Sequence, residues 1–368
     1  MKTRLTVVAT ALVLCLNAQG EPGAMRDIPA TALAKEMAPG WNLGNTLEAL
    51  PEETSWGNPR PSQELFNAVK AAGFKTVRIP VSWRAHSDSD GKINPSFLAH
   101  VIDVVNYARN AGLYVLLNEH WDGGWQEPVA DKQTEVNAKL AVLWTQVATA
   151  FKDYDDHLLF AGTNEITVKG NYGPPSAENA AVQNSFNQTF VTTVRATGGN
   201  NAKRVLVVQG YNTNIDHTLA AAVLPADPTP NRLMMEVHFY DPYNFTLNEK
   251  SHIWQWGALA NDPSATETWA NEAYVDGQFE KMKTHFADKG VGVILGEYCA
   301  VMKAEYQGHE RQRVYWDAYV TKSAVKHAIV PVYWDAGGNG NHSCALFDRH
   351  SGNQLYPYLT DAIIKMAQ

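Results

Sequence analysis

HLLFAGTNE, residues 157–165, decides how the rest of the chain is read. The apolar run Leu158 to Ala161, followed by Gly162, has the length of a strand buried on both faces. That strand leads straight into a polar pair, Asn164 and Glu165. Runs of the same kind recur on either side: GWNLGN near residue 40, KTVRIPV near 75, LYVLLNEH near 113, RVLVVQG near 204, LMMEVHFY near 233, VGVILGEY near 291 and IVPVYWD near 329. With the first stretch they make eight. Amphipathic segments separate them. Val136, Leu140, Leu143, Val147 and Phe151 form one stripe over 134–154, and Val182, Phe186, Phe190 and Val194 another over 176–197. Thr134 and Ser176 are the expected N-caps, and Gly73, Gly112, Gly198 and Gly290 stand where helices should end. Eight strands alternating with helices predict an α/β fold of the (β/α)8 TIM-barrel type. A doubly wound sheet is the alternative, but no G-x-G-x-x-G follows the first strand, and GGNGNH at 337 comes too late.

Residues 1–20 read as a secretory signal peptide: basic Met1-Lys2-Thr3-Arg4, the apolar LTVVATALVLCL, then small residues up to Gly20. The apolar part is too short to span a bilayer, and bulky Leu14 before Cys15 argues against a lipoprotein. Residues 21–368 are expected to form one catalytic barrel domain, since α/β barrels exceed the usual domain length and no repeat or linker interrupts them. The expected destination is extracellular or periplasmic, where Cys299 and Cys344 have two open fates, a disulfide or a pair of buried thiols. A net charge of −8 without a Lys/Arg run argues against nucleic acid or an anionic membrane as partner. Eleven Trp and fifteen Tyr supply flat apolar faces with polar edges, which suit sugar rings as well as a core.

Chemistry in such a barrel collects where strands end and their following loops begin. Those positions carry Asn45, Arg78, Asn118, His120, Asn164, Glu165, His238, Tyr240, Glu297 and Trp334. Two glutamates closing two apolar strands are the pair that glycosidic cleavage needs. One protonates the departing oxygen, and the other attacks the anomeric carbon or activates water there. Alternation along a strand puts His238 and Tyr240 on one face. Glu119 and Glu236 are expected to point away from the barrel axis, and Asp122 and Asp241 to stand outside the chemistry. Trp41 is expected to be packing, while Trp56, Trp125, Trp254 and Trp256 lie in loops where a sugar face can stack. HSDSDGKIN, from His86, has Phe97 where a calcium loop needs its bidentate glutamate, and reads as a turn. No cluster has zinc-ligand spacing and no G-x-S-x-G offers a serine nucleophile, so neither metal nor cofactor is expected.

In order and spacing, GWNLGNTLEA with WGNP, VRIPVSW, NEHW, TNE, VHFYDPYNF, LGEY and VYWD resemble glycoside hydrolase family 5, the cellulase family, over nearly the whole chain after the leader. The opening motif is most similar to that of its endo-β-1,4-glucanases and xyloglucanases. The resemblance implies Glu165 as acid/base, Glu297 as nucleophile, Asn164 as the contact to the sugar 2-hydroxyl, and Arg78 and Tyr240 as supports of the nucleophile. It also implies His120 and His238 facing substrate and Trp334 beneath the cleaved sugar. Asn45 joins them as a supporting residue, and Trp121, standing where many members carry a second histidine, as a substrate contact. Arg78 and Tyr240 are expected to hold Glu297 ionised, and Glu165 to carry a raised pKa. The predicted function is a secreted, monomeric, retaining endo-β-1,4-glucanase acting on cellulose-type or mixed-linkage β-glucan polysaccharide. Xyloglucan or mannan with the same machinery is the alternative. A catalytically silent sugar-binding barrel is disfavoured because it has no use for the two glutamates.

Overall fold

The computed structural model describes residues 24–368, and the expected signal peptide lies outside them. All eight apolar runs are strands: β1 (Gly40–Asn42), β2 (Thr76–Ile79), β3 (Tyr114–Asn118), β4 (Leu158–Ala161), β5 (Leu206–Gln209), β6 (Leu233–His238), β7 (Gly292–Glu297) and β8 (Ile329–Tyr333). They run parallel in chain order and close as a barrel, β1 pairing with β8 through Gly40 opposite Val332. Helix α1 (Ala30–Met37) precedes β1. The connections between strands carry α2 (Gln63–Ala71), α3 (Pro95–Asn110), α4 (Gln133–Ala150), α5 (Ala177–Ala196), α6 (Ile215–Ala221), the short α7 (Tyr243–Thr246), α8 (Glu272–His285) and α9 (His309–Lys326), and α10 (Pro357–Met366) follows β8. Ser176 caps α5 as expected, its hydroxyl accepting from the Asn179 N–H. Helix α4 starts two residues earlier than its sequence suggests, so Thr134 lies inside the first turn and Lys132 takes the cap position.

Alternation along the strands sorts apolar side chains into two cores. Leu116, Leu159, Val207, Met234, Ile294 and Val330 fill the lumen together with Leu33 and Met37 of α1. Their neighbours in sequence, among them Val115, Phe160, Met235, Val293 and Leu295, face outward against the helices. Helix α1 stops the N-terminal mouth: Ala30 N–H bonds the Asn231 carbonyl before β6, and Thr76 Oγ1 at the start of β2 donates to Met37 O. The polar strand ends therefore meet at the opposite mouth.

Cys299, just past β7, is bonded to Cys344 in the loop after β8, 45 residues on. The bridge ties the end of the glycine-rich 337–343 segment to the residues that follow β7, where Met302 also exchanges backbone hydrogen bonds with His342 and Ser343. Closing a loop of that length stabilises by about 4 kcal/mol in the chain-entropy treatment. The double variant Cys299→Ser with Cys344→Ser is expected to lose about 2–4 kcal/mol in urea unfolding. A loss below about 0.5 kcal/mol would mean that other contacts already hold the loop.

Candidate active site

Arg78, on β2, points into the lumen and is fully buried, and a guanidinium without water must find protein partners for its nitrogens. Nη1 donates to Glu297 Oε1 at 2.9 Å and to Asn42 Oδ1 at 3.0 Å, and Nη2 donates to Asn164 Oδ1 at 2.6 Å. Nε lies 2.9 Å from Glu236 Oε1. Groups from β1, β6, β7 and the end of β4 are thus gathered on one cation. Glu297 closes β7 with a side chain only 7% exposed, and its Oε2 accepts from the Tyr240 hydroxyl at 3.0 Å. Glu165 follows β4 in the left-handed region, at φ 49°, a conformation that costs a non-glycine residue about 1 kcal/mol or more. Its side chain as a whole is 42% exposed, and its Oε1 turns inward to His238 Nδ1 at 2.7 Å. One oxygen of Glu165 lies within 4.8 Å of one of Glu297.

On the far side, Asn118 Oδ1 accepts from the Val81 N–H, which turns its amide nitrogen toward His120 Nδ1 at 3.1 Å. That ring must therefore accept at Nδ1 and carry its hydrogen on Nε2. It lies parallel to the indole of Trp334, with centroids 5.8 Å apart and planes 4° apart. Trp334 can lie against the turn after β1 because residue 44 is glycine; a Cβ there would stand 2.9 Å from the indole Cζ2.

The family model for cellulase (glycosyl hydrolase family 5) matches residues 42–340. The chain belongs to glycosyl hydrolase family 5. It is 40% identical to endoglucanase A of Paenibacillus barcinonensis, with 99% of this chain and 96% of that protein aligned. It is 41% identical to a xyloglucan-specific endo-beta-1,4-glucanase of Bacteroides ovatus, over 93% of this chain and 71% of the relative. Among solved structures, a broad specificity endoglucanase from Bacteroides salanitronis superposes with a TM-score of 0.89 at 39% identity, covering 95% of this chain and 98% of the other.

The two histidines of this family 5 site carry different charge. Burial, reinforced by the Arg78 and His238 charges, pushes His120 well below its ordinary value and leaves it neutral. Burial works against protonation of His238 too, but Glu297, Glu165 and Glu236 surround it and raise it to about 9. Burial pushes Glu165 up, yet the hydrogen bond and charge of His238, with Arg78, bring it below the usual carboxylate range. Burial pushes Glu297 above that range against the pull of His238, Arg78 and Tyr240. Glu165 departs from its sequence expectation in the free protein, whereas Arg78 and Tyr240 do act on Glu297 in the expected direction. The proton that would raise Glu165 sits on His238, and the supports of Glu297 do not fully offset its burial.

Most of the sequence-predicted residues converge: Arg78, Asn164, Glu165, His238, Tyr240 and Glu297 form one network, with His120 and Trp334 beside it. Asn45 does not join them. It sits in a left-handed turn at φ 54°, its N–H bonded to the Glu48 carboxylate and its carbonyl to Asn58. The β1 amide that reaches Arg78 is Asn42, directly opposite it in the strand register. Glu236 also corrects the reading. It lies two residues before His238, so it shares the lumen face and does not point outward. Glu119 does point away, toward the Trp125 indole N–H. Trp256 is 2% exposed and bonded to the Ala270 carbonyl, hence core and no sugar platform, whereas Trp121 is 54% exposed. Trp121, Trp125 and the unforeseen Tyr172 line a cavity of about 370 Å³ that Glu165 borders. Glu165, His238 and Glu297 are, among the described residues, the one cluster of acid and imidazole groups close enough to share an ion. Arg78 and protonated His238 already balance its carboxylates.

Proposed function

We propose that this family 5 enzyme is a secreted, retaining endo-β-1,4-glucanase in which Glu165 is the acid/base and Glu297 the nucleophile. The carboxylate spacing carries the reading. Oxygens within 4.8 Å suit the roughly 5–5.5 Å between carboxyl groups of a retaining pair, and fall short of the roughly 6.5–9.5 Å that seats a water between them. Glu297 attacks the anomeric carbon while Glu165 gives its proton to the departing glycosidic oxygen. The cut end leaves as an alcohol and the sugar stays as an ester on Glu297. Glu165, now a carboxylate, then takes a proton from water as that oxygen attacks the same carbon, which frees Glu297 and restores the acid. Arg78 and Tyr240 aim Glu297. Asn164, its Oδ1 held by Arg78, presents its amide N–H to the 2-hydroxyl, neutral His120 presents Nε2–H, and Trp334 lies under the reacting ring.

Glu165 borders a second cavity, of about 190 Å³, lined by Asn212, Asn214, Tyr243 and Tyr274. Two open cavities bordering Glu165 give a long chain room to extend past the cut, which supports internal cleavage of a β-glucan chain. The signal-like sequence of residues 1–20 and the Cys299–Cys344 bridge, a bond that persists in oxidising compartments, support secretion. The polar second cavity also favours a second substrate, xyloglucan, whose branches need room beside the main chain, as the Bacteroides ovatus relative's name suggests for that enzyme.

Carboxymethylcellulose is expected to lose viscosity well before reducing ends accumulate. Barley β-glucan, xyloglucan and mannan assayed in parallel rank the substrates. Cellobiose as sole product from the first minutes would overturn the endo assignment, and no release from any of the four would leave a silent sugar-binding barrel.

A further inference from the structure

Among the described residues, Glu236 is the one carboxylate beside Arg78 and His238 that the reaction above leaves without a task. It is fully buried on β6. Its Oε1 lies 2.9 Å from Arg78 Nε and 3.2 Å from His238 Nε2. The adjacent strand is emptied to admit it: a Cβ on Gly296 of β7 would stand 2.0 Å from that same oxygen. A counter-charge for Arg78 is one reason to bury an acid here, but Glu297 already supplies one at 2.9 Å. The contact with His238 is the informative one. Arg78 and His238 outweigh the burial that pushes Glu236 up and bring it below the usual carboxylate range, so it is ionised and can only accept. The imidazole Nε2 must then carry a hydrogen. Nδ1 is left to Glu165 at 2.7 Å. A neutral ring accepts there from protonated Glu165, and an imidazolium donates there to ionised Glu165. In both states one proton lies on the Glu165–His238 hydrogen bond.

We propose that Glu236 is a positioning residue of this hydrolysis: by holding His238 Nε2–H it fixes which ring nitrogen faces Glu165, and so keeps on that pair the proton that Glu165 delivers to the leaving oxygen. This is the logic of a base oriented by a third group behind it. It rests on Glu165 being the acid. When the proton passes to the glycosidic oxygen, Glu165 is left a carboxylate beside neutral His238, whose Nε2–H still points to Glu236. The water step returns one proton to the same bond. The other groups facing the ring are Glu297 from β7, Arg78 from β2, His120 from β3 and Tyr240 just beyond β6, and none of them lies behind Nε2 to do this.

Glu236→Gln keeps the size, removes the charge and offers Nε2 a donor as readily as an acceptor. Its kcat/KM on carboxymethylcellulose is expected to fall about 10- to 100-fold, while an aryl cellobioside with an acidic phenol loses less than about threefold, since that leaving group needs little protonation. The sign of the pH effect follows from charge. Ionised Glu236 helps retain the shared proton, so without it the alkaline limb of kcat/KM should move down by about one pH unit. Glu236→Asp, which keeps the charge, should return the limb to its wild-type position. In the wild-type enzyme, nitrogen-15 NMR of labelled histidine should show His238 Nε2 protonated at every pH where the enzyme is active. A bare Nε2 at any such pH overturns the proposal, even if Glu236→Gln does not fold. Equal losses on both substrates with an unmoved alkaline limb overturn it too, leaving Glu236 a structural partner of Arg78. Failure of the underlying reading looks different: Glu165→Ala would keep its activity on polysaccharide, whatever Glu236 does.

Discussion

Glu165→Ala is expected to lose activity on polysaccharide by a factor on the order of a hundred to ten thousand, because the sugar leaving group must be protonated as it departs. An aryl cellobioside with an acidic phenol departs almost unaided, so its glycosyl ester on Glu297 should still form. The second step then lacks its base, and the ester waits for a nucleophile that needs none. Added azide should therefore speed turnover and appear as the β-glycosyl azide, since it approaches from the face opposite Glu297. Glu297→Ala should be more severely disabled on every natural substrate, for no ester can form. Azide entering the space left by that carboxylate attacks an activated glycoside directly and gives the α product. Proton NMR of the anomeric coupling separates the two azides. An α azide from Glu165→Ala, or near-normal polysaccharide activity in either variant, would reverse or remove the assigned roles.

Arg78→Met is expected to have the second largest effect, on stability and activity together. Without the guanidinium, buried Glu236 and Glu297, on the adjacent strands β6 and β7, keep only His238 to offset them, and the side-chain oxygens of Asn42 and Asn164 lose their donor. Removing one partner from buried pairs of this kind costs about 3–5 kcal/mol. Part of that is recovered if the carboxylates take up protons. Their folded pKa values then rise above the unfolded ones, and a group so raised contributes stability at low pH that is lost as pH climbs through the folded value. Urea unfolding should therefore show a larger deficit at pH 8 than at pH 5, and the proton uptake should abolish attack by Glu297 near neutrality. Arg78→Lys should fold better yet remain slow, because one ammonium cannot span acceptors held by a planar fork. Wild-type stability of Arg78→Met at pH 8 would mean that these carboxyls do not depend on Arg78.

The sequence alone was enough to recover the strands, because a barrel strand buried on both faces must be apolar from end to end and must stop where water or substrate begins. The same rule exposed Glu165 and Glu297, and His238 and Tyr240, each a polar residue at the edge of an apolar run, while Arg78 showed as a charge inside one. It misled at β1, where Asn45 stands at the visible end of the motif and Asn42 lies inside it. Asn42 matters because β1 and β2 align it with Arg78, and parallel register is not written in either strand. Glu236 was legible in principle, since an alternating strand that turns His238 inward turns Glu236 inward as well; what it meets there was not. Tyr172 sits in a long loop without periodicity, where no spacing rule applies. Cys299 and Cys344 are two thiols in the chain and one bond in the fold, decided by the loop after β8 folding back on β7. Which histidine is charged was likewise a tertiary matter: His238 looks out on three carboxylates and His120 on two cations. A strand records what each residue does to its own neighbours through period and burial, whereas the lumen sets charges against one another across the barrel, Arg78 against Glu297 at a separation of 219 residues, and only closure of the barrel brings them within a hydrogen bond.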